Sequence, residues 1–212
     1  MSLAYHEMSF QLTYKIPEDI GPGEIMRAFF CLELPKNVKG EIKSTAGSIK
    51  SPAYVKWVSR ENLHVTLKFL GDVDRSQVTE IKERARGTAG RLDTFEVTID
   101  KLGGFPKIDF PKVIWLGSES PPNEIFRLHK DLEESLISLG FERENRDYVP
   151  HITLGRTKEE DPNKVEKLGT NLQKLDLDVD WQFKIEELTL MESKLKSDGP
   201  LYNPVFRVGL GN

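Results

Sequence analysis

The apolar positions of this chain change period several times, and each change marks an element. The run Arg27 to Leu34 is rich in Phe and Leu and stops at Pro35, so it reads as a buried strand closed by a residue that cannot donate to a ladder. A polar helix is predicted to follow, to about Ile49. Val55–Val58 and Leu63–Leu70 read as strands. In the second, alternation places Val65, Leu67 and Phe69 on a core face and His64, Thr66 and Lys68 on the other. Asp74 can cap a helix whose Val78, Ile81 and Ala85 share one side and which ends near Gly87. Phe95, Val97 and Ile99 alternate with polar residues, and Val113–Leu116 is a wholly apolar run suited to a central strand.

From Asn123 to Leu139 the residues Ile125, Leu128, Leu132, Leu136 and Leu139 recur at three- and four-residue steps, and Gly140 ends the pattern. His151–Leu154 reads as a strand, Val165, Leu168 and Leu172 as a helix, and Phe183–Met191 and Val205–Leu210 as late strands. Strands and helices mix without strict alternation, which favours an α+β fold. Residues 1–25 follow no period, with Pro17, Gly21, Pro22 and Gly23 among them, and are expected to be an extension ahead of one domain spanning 26–212.

The same pattern occurs twice. His64-Val65-Thr66-Leu67 matches His151-Ile152-Thr153-Leu154 at an offset of 87 residues (151 − 64). That offset also carries Asp74 onto Asp161, Val78 onto Val165, Ile81 onto Leu168 and Ala85 onto Leu172. A strand, a capped turn and a helix therefore recur. The expected architecture is bilobal: two pseudo-symmetric lobes, each an antiparallel sheet with helices packed outside, and a central groove between them.

Composition narrows the function. With 38% hydrophobic and 30% charged residues, the chain is that of an ordinary globular protein. No apolar stretch approaches the ~20 residues of a membrane span, and the N-terminus lacks a signal-peptide order. The single cysteine, Cys31, sits in an apolar run and excludes an internal disulfide, as expected of a buried thiol in the cytoplasm. A net charge of −4 gives no long-range attraction for polyanions, so contacts to nucleic acid would have to be local.

Chemistry enters with the repeated motif. Side chains two apart on a strand share a face, so each half offers an imidazole beside a hydroxyl. One neutral histidine can take a proton from water while a second, protonated one gives a proton to a leaving oxygen, and threonine hydroxyls can donate to non-bridging phosphate oxygens. No HExxH or Cys/His cluster at ligand spacing occurs, so no metal or cofactor is called for. Of the other candidates, His129 reads as a solvated histidine on the polar side of its helix, and His6 carries no signal. Lys68 reads as a surface lysine or a phosphate contact, Phe105 as core and Tyr148 as a stacking ring.

Glu61-Asn62-Leu63-His64-Val65-Thr66-Leu67-Lys68-Phe69-Leu70-Gly71 and Pro150-His151-Ile152-Thr153-Leu154-Gly155-Arg156 resemble the paired motifs of the two-histidine phosphoesterases. Within that superfamily the chain is most similar to the RNA 2′,3′-cyclic phosphodiesterase branch, also described as RNA ligase-like. Arg27-Ala28-Phe29-Phe30, Phe105-Pro106 and Gly199-Pro200-Leu201-Tyr202 add to the likeness, which covers nearly everything after Met26. It implies hydrolysis of an RNA 2′,3′-cyclic phosphate end to a 2′-phosphate, and RNA-end joining in the reverse sense; a monomer is the default expectation. Carried over, His64 and His151 form the catalytic pair, with His64 as acid and His151 as base, and Thr66 and Thr153 hold the phosphate. Arg156 matches a basic position of the second motif. Strict alternation puts it on the face opposite His151, so a role there requires a bulge or strand end near Gly155. The competing expectations are a non-catalytic nucleotide-binding module of the same fold, and a phosphodiesterase acting on small cyclic nucleotides or 2′-5′ oligonucleotides.

Overall fold

A computed structural model describes residues 23–175, 181–197 and 199–211. The predicted extension lies outside the described residues as far as position 22. The first half runs β1 (Ile25–Glu33), α1 (Lys36–Ser48), β2 (Val55–Trp57), β3 (His64–Asp74), α2 (Val78–Ala89), β4 (Phe95–Ile99) and β5 (Lys101–Phe105). The second runs β6 (Val113–Gly117), α3 (Asn123–Leu136), β7 (Ile152–Thr157), α4 (Pro162–Gln173), β8 (Trp181–Ile185), β9 (Glu187–Lys196) and β10 (Gly199–Gly209). Helix starts follow local chemistry: Asp161 accepts from the Asn163 N–H and Pro162 opens α4, where its missing N–H costs nothing.

One antiparallel sheet has the order β10-β9-β1-β3-β7-β6-β5, with β2 also on β7, and β4 pairs with β8 in a second. The large sheet is two lobes joined at a narrow seam, where the pairing of β3 with β7 is Val65 opposite Ile152. These two residues are repeat equivalents, since 152 − 65 = 87. In β4–β8, Val97 lies opposite Phe183 at nearly the same offset, 183 − 97 = 86. Equivalent residues facing each other across antiparallel strands place an approximate two-fold axis at both points. The halves also exchange strands: β5 pairs with β6, and β9 with β1.

Alternation sorts the two faces of the sheet. Ala28, Phe30 and Leu32 of β1 join Ile42 of α1, Ile81 of α2, Leu128 of α3 and Leu168 of α4 in one core, whereas Phe29 and Cys31 form a separate cluster with Met191 on the other face. The helices therefore cover one face and leave the other as the groove.

Two expectations fail in β3. Lys68, expected on the surface, is 1% exposed, and Phe69, expected in the core, is 60% exposed. The register explains both, because Cys31 pairs Thr66 while Phe30 pairs Lys68, leaving Leu67 as the extra residue of a bulge. Beyond it parity reverses. β7 repeats the device: Trp115 pairs Thr153 and Ile114 pairs Gly155, so Leu154, the equivalent of Leu67, is the extra residue. Strand β5 lacks a strand signature in the sequence because it contains Gly103-Gly104, yet Gly103 is needed there: a β-carbon would run into the Trp115 ring laid across it.

Candidate active site

Continuing the Val65–Ile152 register by one residue each way sets His64 opposite Thr153 and Thr66 opposite His151 on one face. The two histidines are then diagonal neighbours, roughly 7–8 Å apart at the backbone and somewhat less between β-carbons, a span that can hold a phosphate between their rings. His151 is among the groups whose charge disfavours a proton on His64.

Each ring is oriented in the same way. His64 Nδ1–H donates to the Asn62 carbonyl at 2.7 Å, and His151 Nδ1–H donates to the Val149 carbonyl at 2.7 Å. Both acceptors lie two residues upstream and are again 87 apart (149 − 62). A carbonyl can only accept, so each neutral ring leaves Nε2 as the free base. His64 Nε2 accepts from the Thr66 hydroxyl at 2.9 Å. Aromatic rings hold the imidazoles from the side, Phe29 at 4.9 Å and Tyr202 at 5.4 Å from His64, and Phe105 at 5.1 Å and Trp115 at 6.2 Å from His151.

The electrostatics differ between the two. Burial, abetted by Lys39 and His151, pushes His64 down to about 4, although the Asn62 carbonyl opposes this. Burial also lowers His151, by less, with Arg156 acting in the same direction. The bulge at Leu154 turns Arg156 toward the His151 side, and its charge acts on His151 and Tyr202 alike. The strand irregularity that a role for Arg156 on this face would require is thus present.

The segment entering β7 is pinned to β3. Lys68 Nζ donates to Glu133 Oε1 at 2.6 Å and to the Glu142 carbonyl at 2.8 Å, while Glu133 Oε2 accepts from the Glu144 N–H. Tyr148 donates to the Thr66 carbonyl at 3.0 Å. His129 is not a solvated histidine: it is half-buried and stacks on Tyr148, centroids 4.0 Å apart and planes within 4°. With Phe69, Phe105 and His151 it lines a cavity of about 500 Å³. Neither Phe69 nor His129 stands out as a site residue in the sequence, although the 87-residue offset places Phe69 on Arg156 (156 − 69). Among the described residues no three His, Cys, Asp or Glu side chains are grouped to hold a metal.

A family model described as the 2′-5′ RNA ligase superfamily matches residues 38–196. The chain belongs to this superfamily. It is 35% identical over 181 residues to an RNA 2′,3′-cyclic phosphodiesterase of Methanocaldococcus jannaschii, covering 85% of this chain and 98% of the relative. A second protein of that description, from Methanothermobacter thermautotrophicus, is 36% identical over 187 residues, covering 86% and 99%. The superfamily's two-lobe fold is shared by the crystal structure of E. coli LigT complexed with 3′-AMP, at a TM-score of 0.73 and 27% identity over 89% of this chain and all of that one.

Proposed function

We propose that this superfamily member hydrolyses 2′,3′-cyclic phosphate ends of RNA to 2′-phosphates, with His64 and His151 as the acid–base pair. The observation that carries the reading is the symmetric presentation of two Nε2 atoms across the seam, one from each lobe. One imidazole takes a proton from water as the water oxygen bonds to phosphorus. The P–O3′ bond breaks and O3′ receives a proton from the other, while O2′ stays on phosphorus. Thr66, Thr153 and Arg156 donate to the non-bridging oxygens, where charge accumulates.

Depth separates the roles. His64 gives up its proton more readily, so it serves as base and His151 as acid, the reverse of the assignment made from sequence. Activity then falls as pH drops through about 4, where His64 takes a proton, and falls again as pH rises through the His151 value below 6.5. The optimum of kcat/KM lies on the acid side of 6.5. We assign catalysis to one bilobal body, residues 26–212, acting as a monomer in the cytoplasm, where the buried Cys31 stays a thiol. Among the described residues no helix is long and apolar enough to cross a membrane.

The test is product analysis with an RNA oligomer ending in a 2′,3′-cyclic phosphate, with chelator present. A 2′-phosphate at an undiminished rate is expected. A 3′-phosphate, or a rate abolished by chelator, would refute the reading.

A further inference from the structure

Beyond the scissile position, the cleft between the start of β6 and the end of β7 has about 480 Å³ of space and is lined by Lys112, Thr157 and Lys158, and by Arg156, which the reading above gives to the scissile phosphate. Lys112 also lines the cavity beside His151, so the two spaces adjoin. Among the described residues Lys112, Arg156 and Lys158 have no side-chain hydrogen bond or ion pair, whereas Arg75, Lys68 and Lys164 all meet carboxylates. The one acid in the wall, Glu159, is occupied by Lys164 and by the N–H groups of Tyr54, Glu160 and Asp161. The Thr157 hydroxyl, in the wall of the cleft, is buried without a partner. In a chain of net charge −4, this is a local concentration of unneutralised positive charge.

We propose that this cleft binds a backbone phosphate of the same RNA, upstream of the cyclic end, so that the enzyme selects oligonucleotides over cyclic mononucleotides. The inference rests on the hydrolase reading above and deepens it. With Leu154 bulged out, Thr157 lies three ladder steps beyond Thr153, roughly 10 Å along the strand at 3.3 Å per step, so an upstream phosphate of a bound RNA end can reach the lysines. The cyclic phosphate sits at the 3′ end, and every other phosphate of the strand lies on its 5′ side.

The experiment compares 2′,3′-cyclic AMP with a pentanucleotide ending in a cyclic phosphate, using the full chain, Lys158→Glu and Lys112→Ala. A second arm measures binding of a labelled pentanucleotide with a 2′-phosphate end across a salt series. Wild type is expected to favour the oligomer by about tenfold or more in kcat/KM, as a charged contact to phosphate warrants. Lys158→Glu, at an exposed position, should erase that preference and leave the mononucleotide within about twofold. Lys112→Ala should reduce the preference in part. The slope of log binding against log salt should flatten by about 0.7 for each phosphate that a variant no longer neutralises. Equal loss on both substrates, or an unchanged salt slope in the variants, overturns the proposal. If neither substrate is hydrolysed by wild type, the hydrolase reading fails and the binding arm alone decides the cleft.

Discussion

His64 and His151 stand at equivalent points of a duplicated frame, and much around them is the same. Each donates Nδ1–H to a carbonyl two residues upstream, each precedes a threonine on its own face, and each motif ends in a bulge at the fourth residue. Past the bulge the lobes diverge. The first places Lys68 against Glu133 in the core and Phe69 in the groove, whereas the second places Gly155 and Arg156 at those positions. Gly155 lies against β2, where a β-carbon would come within 2.7 Å of Val55 Cγ1. The repeated features are the ones that any two-histidine phosphoryl transfer needs. The divergent ones give the lobes different tasks, a deep imidazole on the strand that Lys68 ties to Glu133 in one and a more open imidazole beside a guanidinium in the other.

The largest effects test what is common. His64→Ala and His151→Ala should each lower kcat by about 10²–10⁴, the usual contribution of a general acid or base, with unfolding temperature nearly unchanged. The comparison breaks if only one variant is impaired. It sharpens if a substrate with a sulfur leaving group at the 3′ position, which needs no proton, restores His151→Ala but not His64→Ala.

Smaller effects belong to the features that differ. Lys68→Ala leaves Glu133 buried without its counter-charge and should cost about 3–5 kcal/mol in denaturant unfolding. A smaller loss would mean that the lobes are held together without this pair. On the proposed mechanism Arg156→Ala removes a charged donor to phosphate, worth about 1.5–3 kcal/mol, and should lower kcat/KM by about ten- to a hundredfold. Phe69→Ala at the equivalent position should change hydrolysis of a cyclic mononucleotide far less. Equal losses would erase the distinction between the lobes. Tyr148→Phe removes the bond to the Thr66 carbonyl, worth about 0.5–1.5 kcal/mol, and should slow turnover only several-fold.

The α+β class, the duplication, its two-fold relation and the residues that meet at the seam are legible in the chain because hydrophobic period and motif spacing are local properties of sequence. Val65 and Ile152 align by offset alone, and they are the pair that meets. The fates of Lys68 and Phe69 are not legible, since one extra residue in a strand reverses parity and composition does not announce it. Arg156 stands out only because its expected role conflicts with alternation. The same conflict arises five residues after His64, where Phe69 carries no charge to draw notice. Strand β5 is hidden by its glycines, whose reason is the bulk of Trp115 on the neighbouring strand.

Groups that act on one reacting atom as a unit do not contribute independently, and non-additivity is therefore the most direct sign that the two imidazoles share one phosphorus. We predict that the double variant His64→Ala/His151→Ala hydrolyses an RNA 2′,3′-cyclic phosphate no more slowly than the worse of the two single variants. A rate reduced by the product of the two single effects would contradict this, because each histidine would then be serving a separate event.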